Sequence, residues 1–230
     1  MKLIVIDTSG PVCGVAVMDE DRVYSEFTAE NRHTHSEILM PMTEMALEAA
    51  GTELAELDAV AAVTGPGSFT GVRIGVATAK GLAHGAHLPC IPVDAMEALS
   101  RSAGAFEGIV CPIRDARAGQ VYCAAFQDGK RLTENAPLKL EEFLQQISPF
   151  GSRCLFTGDG VPVYREKIQA ILGEQASFSP PYLCYLRPSA AGQLTLESGN
   201  MTDYLGLQAT YLRPPNAVKN RKLLEAMQDG

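Results

Sequence analysis

The stretch from Thr64 to Gly85 constrains this chain more than any other. An apolar run, Ala59 to Thr64, leads into the turn Gly65-Pro66-Gly67-Ser68-Phe69-Thr70-Gly71. The turn opens a helix that lacks bulk along two lines, Gly71/Gly75/Ala79 and Ala77/Gly81/Gly85. A glycine inside a helix costs roughly 1 kcal/mol relative to alanine. Gly71, Gly75, Gly81 and Gly85 therefore need a compensating gain, and small residues at i, i+4 spacing supply one by letting another backbone come close. Two readings stay open: tight packing of the helix on its own sheet, or a helix that also meets a second chain.

With 230 residues and 46% hydrophobic content, the chain can bury a full core as one large domain or two small ones. Its formal charge of −8 makes it a poor polyanion binder by itself, because nucleic-acid affinity rests on Lys and Arg neutralising phosphates. A role on RNA then calls for another subunit. Cys13, Cys90, Cys111, Cys123, Cys154 and Cys184 are scattered without a Cys-x-x-Cys pair, which is the usage of a reduced, cytosolic protein. The apolar run Leu3 to Ile6 stops at Asp7, too short for a signal peptide or a membrane span, so no membrane association is expected.

Strands and helices alternate along the chain. Leu3 to Ile6, Gly14 to Met18 and Val23 to Thr28 read as three consecutive antiparallel strands. Thr34-His35-Ser36-Glu37 has the capping-box form that opens a helix, Gly51 closes it, and Pro41 inside it is expected to kink it unless the helix starts later. The strand Ala59 to Thr64, the glycine-rich helix, a strand at Cys90 to Val93 and a helix from Ala95 complete a βββαβαβα order. That order implies a mixed sheet with helices on its faces, hence an α/β fold. After a small, polar stretch at 102–108, Ile109 to Ile113, Val121 to Phe126 and Arg131 to Leu138 repeat the three-strand opening. Glu141 to Ile147 reads as a short helix, Cys154 to Thr157 as a strand and Arg187 to Ser198 as the last large helix. Ser179-Pro180-Pro181 is expected to be extended.

The Gly65 to Gly71 loop has the look of a phosphate cradle, since a helix N-terminus favours anions; it also reads as a structural turn. It is not a Walker A loop, because no Gly-Lys-Ser/Thr stands at the required spacing. Thr70 in place of the third glycine excludes a Rossmann fingerprint, and Pro66 and Thr70 exclude a nucleophile elbow around Ser68. His33, His35, His84 and His87 include pairs that share a face but no third ligand in a recognisable pattern, so no metal site is expected. Asp7, Thr8 and Ser9 end the first strand, where they could contact magnesium or phosphate, or form an Asx-type turn. Leu39, Met40, Met42, Met45, Ala46 and Ala49 give the helix over 36–50 a broad apolar surface. Such a surface is either sandwiched within the protein or meets a partner, and methionine suits an adaptable contact.

Ile6-Asp7-Thr8-Ser9, His35-Ser36-Glu37 with Leu39 and Pro41, Gly65 through Gly75, Asp115-Ala116-Arg117 with Gly119, Val121 and Tyr122, and the late Tyr211-Leu212-Arg213 together resemble the bacterial TsaB (YeaZ) family. The resemblance spans nearly the whole chain. It implies an actin-like, sugar-kinase-like ATPase fold of two related domains, with expected boundaries at 1–103 and 104–212 and a basic flexible tail over 213–230. It also implies a part in making N6-threonylcarbamoyladenosine at position 37 of tRNA. In that family the transfer is carried out by the paralogue TsaD with the ATPase TsaE, and TsaB is the platform that supports TsaD.

The catalytic paralogues carry Val-Asn-His-Met/Leu-Glu-Gly-His, whose two histidines bind a metal, whereas this chain has Val93-Asp94-Ala95-Met96-Glu97-Ala98-Leu99. Alanine and leucine supply no lone pair to a metal. The resemblance thus implies a noncatalytic subunit with no required cofactor and at most weak ATP or ADP binding, with Asp7, Thr8 and Ser9 as the candidate contacts. Gly158-Asp159-Gly160 is the one turn of the second half that resembles a second phosphate loop. The expected docking residues for TsaD, or for a second copy, are Ser36, Leu39, Met40, Met42, Thr43, Ala46, Gly71, Val72, Gly75 and Ala79. On this reading Gly75→Leu is expected to abolish docking without unfolding the domain. The alternatives are a small-molecule kinase or ATPase using Asp7 and the Gly65 loop, and, less favoured by the ligand spacing, a metalloprotease.

Overall fold

The computed structural model describes residues 1–30, 33–151 and 153–213. The expected tail therefore lies outside the described residues from position 214 onward. The three-strand opening forms as β1 (Leu3–Asp7), β2 (Cys13–Met18) and β3 (Val23–Ala29), followed by α1 (His35–Ala50), β4 (Ala59–Gly65), α2 (Phe69–Ala86), β5 (Cys90–Asp94) and α3 (Ala95–Ser102). These strands make one mixed sheet in the order β3-β2-β1-β4-β5, with β1, β4 and β5 parallel and β2 antiparallel to both of its neighbours.

The second half repeats that plan with β6 (Ile109–Asp115), β7 (Gln120–Cys123), β8 (Phe126–Gln127), β9 (Lys130–Arg131), β10 (Ala136–Lys139), α4 (Leu140–Ile147), β11 (Cys154–Thr157), α5 (Val161–Leu172), β12 (Ala176–Phe178) and α6 (Pro188–Ser198). Its main path, β10-β7-β6-β11-β12, has the same alternation of antiparallel and parallel neighbours. The run expected as one strand from Val121 to Phe126 breaks after Cys123, where β8 leaves to pair with β6 and β9. Likewise, Arg131 to Leu138 divides into the end of β9 and most of β10. The helix α5 and the short strand β12 were not legible: α5 buries only Val161 and Ile168 and so carries little apolar periodicity.

Strand alternation distributes the core. Leu3 and Val5 of β1 point to the face covered by α3 and α6, where they meet Met96, Leu99, Ala191 and Leu194. Ile4 and Ile6 point to the other face, against Leu39, Met42 and Ala46 of α1 and Val72, Val76 and Ala79 of α2. Each fully buried aliphatic side chain contributes about 2 kcal/mol. The second sheet has its own core of Ile109, Ile113, Phe143, Phe156 and Ile168. Although α6 follows the second sheet in sequence, it packs on the first, and Thr202 pairs with Cys90 at the edge of β5. The unit expected over 104–212 thus hands its last helix and the segment after it to the first half.

Local signals place α1 where the sequence indicates. The Thr34 amide donates to Glu37 Oε2 at 2.7 Å, and Gly51 closes the helix with φ 60°. The helix runs through Pro41, whose ring lies on the exposed side. No helix among the described residues is long and apolar enough to cross a membrane. All six cysteines are buried, and burial pushes the Cys13 and Cys123 thiols up to about 12. Because the thiolate is the reactive form, Cys13 and Cys123 are expected to react with a thiol reagent at neutral pH only on unfolding. Rapid labelling of either thiol in the native protein, read against a urea-unfolded sample, contradicts this.

Candidate functional site

A cleft of about 740 Å³ lies between the two sheets. Its walls are the turn after β1 (Ser9, Gly10, Pro11), the loop and first turn leading into α2 (Pro66 to Thr70), the end of β6 with its turn (Arg114 to Arg117), Asp159 and the segment Thr210 to Arg213. That last segment straps the two halves together. The Thr210 amide donates to Thr64 O at 2.8 Å, Arg73 Nε donates to the Tyr211 hydroxyl at 2.9 Å, and Arg213 Nη1 donates to Ala116 O at 2.9 Å. The Arg73 guanidinium also sits 3.8 Å above the centre of the Phe69 ring, which packs on Tyr211.

Asp7, Thr8 and Ser9 are all buried and bonded inside the protein. The Ser9 amide donates to Asp7 Oδ1 at 2.8 Å, and the Ser9 hydroxyl donates to the same oxygen, which is the Asx-type turn. Thr8 Oγ1 donates to Gly71 O at 2.7 Å and so ties the turn to α2. Ser68 caps α2 by accepting from the Gly71 amide at 3.2 Å. His35 Nε2 lies 2.9 Å from Gly10 O, within hydrogen-bond distance. His84 stands elsewhere, against the ring of Tyr204.

The residue that sequence reasoning missed is Arg114. It belongs to the second half, is 3% exposed and passes between two loops of the first half. A Cβ on Gly67 would stand 2.9 Å from its Nη1, and one on Gly10 3.1 Å from the same atom, so both glycines leave room for the guanidinium. Its Nε lies 3.7 Å from Asp159 Oδ1, an ion pair too long for a hydrogen bond. Burial raises the Asp159 pKa, an effect only partly offset by the charge of Arg114. The available signal was one charged residue continuing the apolar run Ile109 to Ile113. The run Val93 to Leu99 does not line the cleft itself. Its two carboxylates, Asp94 and Glu97, are held by Arg131 at 3.2 and 3.4 Å, and Asn135 donates to Asp94 as well.

The expected docking residues require a correction of face. Leu39, Met42, Thr43, Ala46, Gly71, Val72, Gly75 and Ala79 are buried beneath the helices, and only Ser36 and Met40 of that set are exposed. The α1 residues pack on the first sheet, and the glycines of α2 are buried by its close approach to the turn after β1. A Cβ on Gly71 would stand 2.1 Å from Thr8 O, and one on Gly75 2.4 Å from Thr8 Oγ1. The second line of small residues behaves differently. Ala77, Gly81 and Gly85 are exposed, and a Cβ on either glycine meets nothing within 4 Å.

With this geometry in hand, comparison with known proteins is direct. The model of the TsaD family, tRNA N6-adenosine threonylcarbamoyltransferase, matches residues 22–203. The tRNA threonylcarbamoyladenosine biosynthesis protein TsaB of Bacillus subtilis (strain 168) is 32% identical over 217 residues, covering 93% of this chain and 94% of that protein. The chain belongs to the TsaB family. TsaB of Escherichia coli (strain K12) is 40% identical over 129 residues, 55% of each protein. Among solved structures, YeaZ from Pseudomonas aeruginosa matches with a TM-score of 0.76 at 27% identity, covering 92% of this chain and 99% of that one. Component A of the (R)-2-hydroxyglutaryl-CoA dehydratase of Acidaminococcus fermentans shares the fold alone, with a TM-score of 0.51 at 10% identity over 86% of this chain and 98% of that one. This TsaB-family chain has the α/β fold that its residues led us to expect, with two mixed sheets flanked by helices, and shares it with YeaZ.

Proposed function

We propose that this chain is a noncatalytic subunit in the threonylcarbamoylation of adenosine 37 of tRNA, which supports TsaD by docking it on the exposed side of α1 and α2. The observation that carries the reading is the open line Ala77-Gly81-Gly85 together with Met40 and Met45, which are 41% and 50% exposed. Small residues in a line let a partner helix approach closely, and methionines adapt to its shape. Ser36 and Met40 contribute to this surface directly, whereas the eight buried residues of the same helices shape it from below. The same patch is suited to self-pairing when TsaD is absent, since a two-fold dimer needs only a self-complementary face.

The remaining roles follow from chemistry. The carboxylates of Asp94 and Glu97 are engaged by Arg131, which supports a structural use for the run that carries metal-binding histidines in the catalytic paralogues. Asp7, Thr8 and Ser9 spend their polar groups on the turn and on α2, which supports a subunit that needs no cofactor and binds ATP or ADP weakly at most. TsaE joins through the complex, tRNA is held mainly by the partner because this chain carries a charge of −8, and the complex works in the cytoplasm.

Gly81→Leu tests the docking face. The isolated variant is expected to fold with equal or slightly greater stability, because leucine favours helix by about 0.8 kcal/mol over glycine. A leucine forced into a packed helix crossing costs about 1–3 kcal/mol, so TsaD association is expected to weaken about tenfold to a hundredfold. Light scattering and co-purification with TsaD read this out, and unchanged association of a folded variant overturns the proposal.

A further inference from the structure

A second cavity, of about 680 Å³, lies where α3 passes into the segment 103–108 that joins the halves, and it shares no lining residue with the cleft. Small-molecule sites usually measure about 300–1,000 Å³. Phe106, Val110, Phe126 and Ala190 give the cavity an apolar wall drawn from the joining segment, β6, β8 and α6. Gly104 and Gly129, with φ of 78° and 73°, stand at its sides, and a Cβ on Gly104 meets nothing within 4 Å, so backbone turns rather than side chains border the space there. Arg101 also reaches the cavity, but its Nη2 donates to Glu197 Oε2 at 2.7 Å, and Gln193 Nε2 donates to Glu197 Oε1 at 3.3 Å. Glu107 and Asp128 differ: both are exposed, and neither carboxylate has a hydrogen bond or ion pair among the described residues.

We propose that this cavity binds an organic cation, a small molecule with an ammonium head and an apolar body. The head is drawn to Glu107 and Asp128, the charges on the wall that the described residues leave unneutralised, within a protein whose net charge is −8. An anion would meet those two carboxylates and an arginine already engaged by Glu197, so the wall selects by sign of charge. The body lies against Phe106, Val110 and Ala190, where burying its methylene or ring carbons adds affinity. A bare divalent ion does not suit the place, because it needs several oxygen ligands, and no group of three or more His, Cys, Asp or Glu side chains that could hold a metal occurs among the described residues. Since both carboxylates are exposed, salt screens their attraction, and a charged head without an apolar body gains little. The cavity lies on neither α1 nor α2, so binding there stands or falls independently of docking.

Calorimetry on the full chain at about 0.15 M salt, with phenethylamine, ethylamine and 3-phenylpropanoate as separate probes, tests this. One phenethylamine per chain is expected. Ethylamine, which lacks the apolar body, and phenylpropanoate, which carries the opposite charge, are each expected to bind about tenfold more weakly or less. Glu107→Gln combined with Asp128→Asn removes both charges with little change of shape, and asparagine tolerates the φ of 50° at position 128. This double variant is expected to weaken phenethylamine about tenfold, as the loss of charge-assisted contacts does. Ala190→Phe, which fills the space from α6, is expected to abolish binding; if circular dichroism shows that it does not fold, the double charge variant carries the test. Absence of binding at millimolar phenethylamine, equal affinity for phenylpropanoate, several weakly held amines per chain, or affinity unchanged in the folded double variant overturns the proposal.

Discussion

Gly75→Leu is expected to destabilise the fold strongly. The first added atom would stand 2.4 Å from Thr8 Oγ1 and 3.6 Å from Ile6 Cγ2, with three more carbons to place beyond it. Either α2 lifts from β1, or the Thr8 hydroxyl gives up its bond to Gly71 O. Overpacking costs about 1–3 kcal/mol, and an orphaned buried hydroxyl adds about 1–3 kcal/mol, against a total stability of about 5–15 kcal/mol. A combined loss of about 4 kcal/mol is the expected reading from urea denaturation, with low soluble yield. A variant with wild-type stability would show that α2 does not lie as closely on β1 as the contacts require. The pair Gly75→Leu and Gly81→Leu, two glycines on one helix, is expected to separate folding from docking, because only the first faces the core.

Glu26→Ala is the second large effect. One carboxylate at the middle of β3 holds the start of α6: it accepts from the Ser189 amide at 2.9 Å, from the Ser189 hydroxyl at 2.7 Å and from Arg187 through Nε at 3.1 Å and through Nη2. The Arg187 side chain is 43% exposed, so its charge pairing is screened and contributes about 1 kcal/mol or less. The Ser189 bonds to a charged acceptor contribute about 1.5–3 kcal/mol. We expect a loss of about 2–3 kcal/mol near neutral pH, read by denaturant titration. Burial raises the Glu26 pKa, but the bonds from Arg187 and Ser189 outweigh it and leave the pKa below its ordinary value of 4.5. A depressed carboxylate contributes fully above its unfolded pKa and loses that contribution as pH falls through the folded one. The difference between wild type and Glu26→Ala should therefore be constant above about pH 5 and shrink below about pH 4.5. A difference that persists unchanged to lower pH would mean that the Ser189 bonds do not depend on the carboxylate charge.

The strands of the first half were legible because each is an apolar run bounded by turn residues, and α1 and α2 because caps and small-residue spacing mark their ends. The second half was partly hidden: β8 and β9 are two residues each, and α5 buries too few side chains to leave a helical period. Helix faces were misjudged for a specific reason. Both lines of small residues on α2 have the same i, i+4 spacing, so local pattern could not tell the line that meets Thr8 from the line that meets solvent.

What the sequence by itself determined is the order of strands and helices in the first half, the caps of α1, and the absence of histidine at 95 and 99. These are local matters, decided by neighbours within a few residues. Which glycines are buried, which carboxylates Arg131 and Arg187 hold, and how Arg114 reaches between loops about 50 and 100 residues away depend on long-range contacts. Such contacts exist only once distant elements have packed on one another, because the partners come from parts of the chain that no local pattern connects.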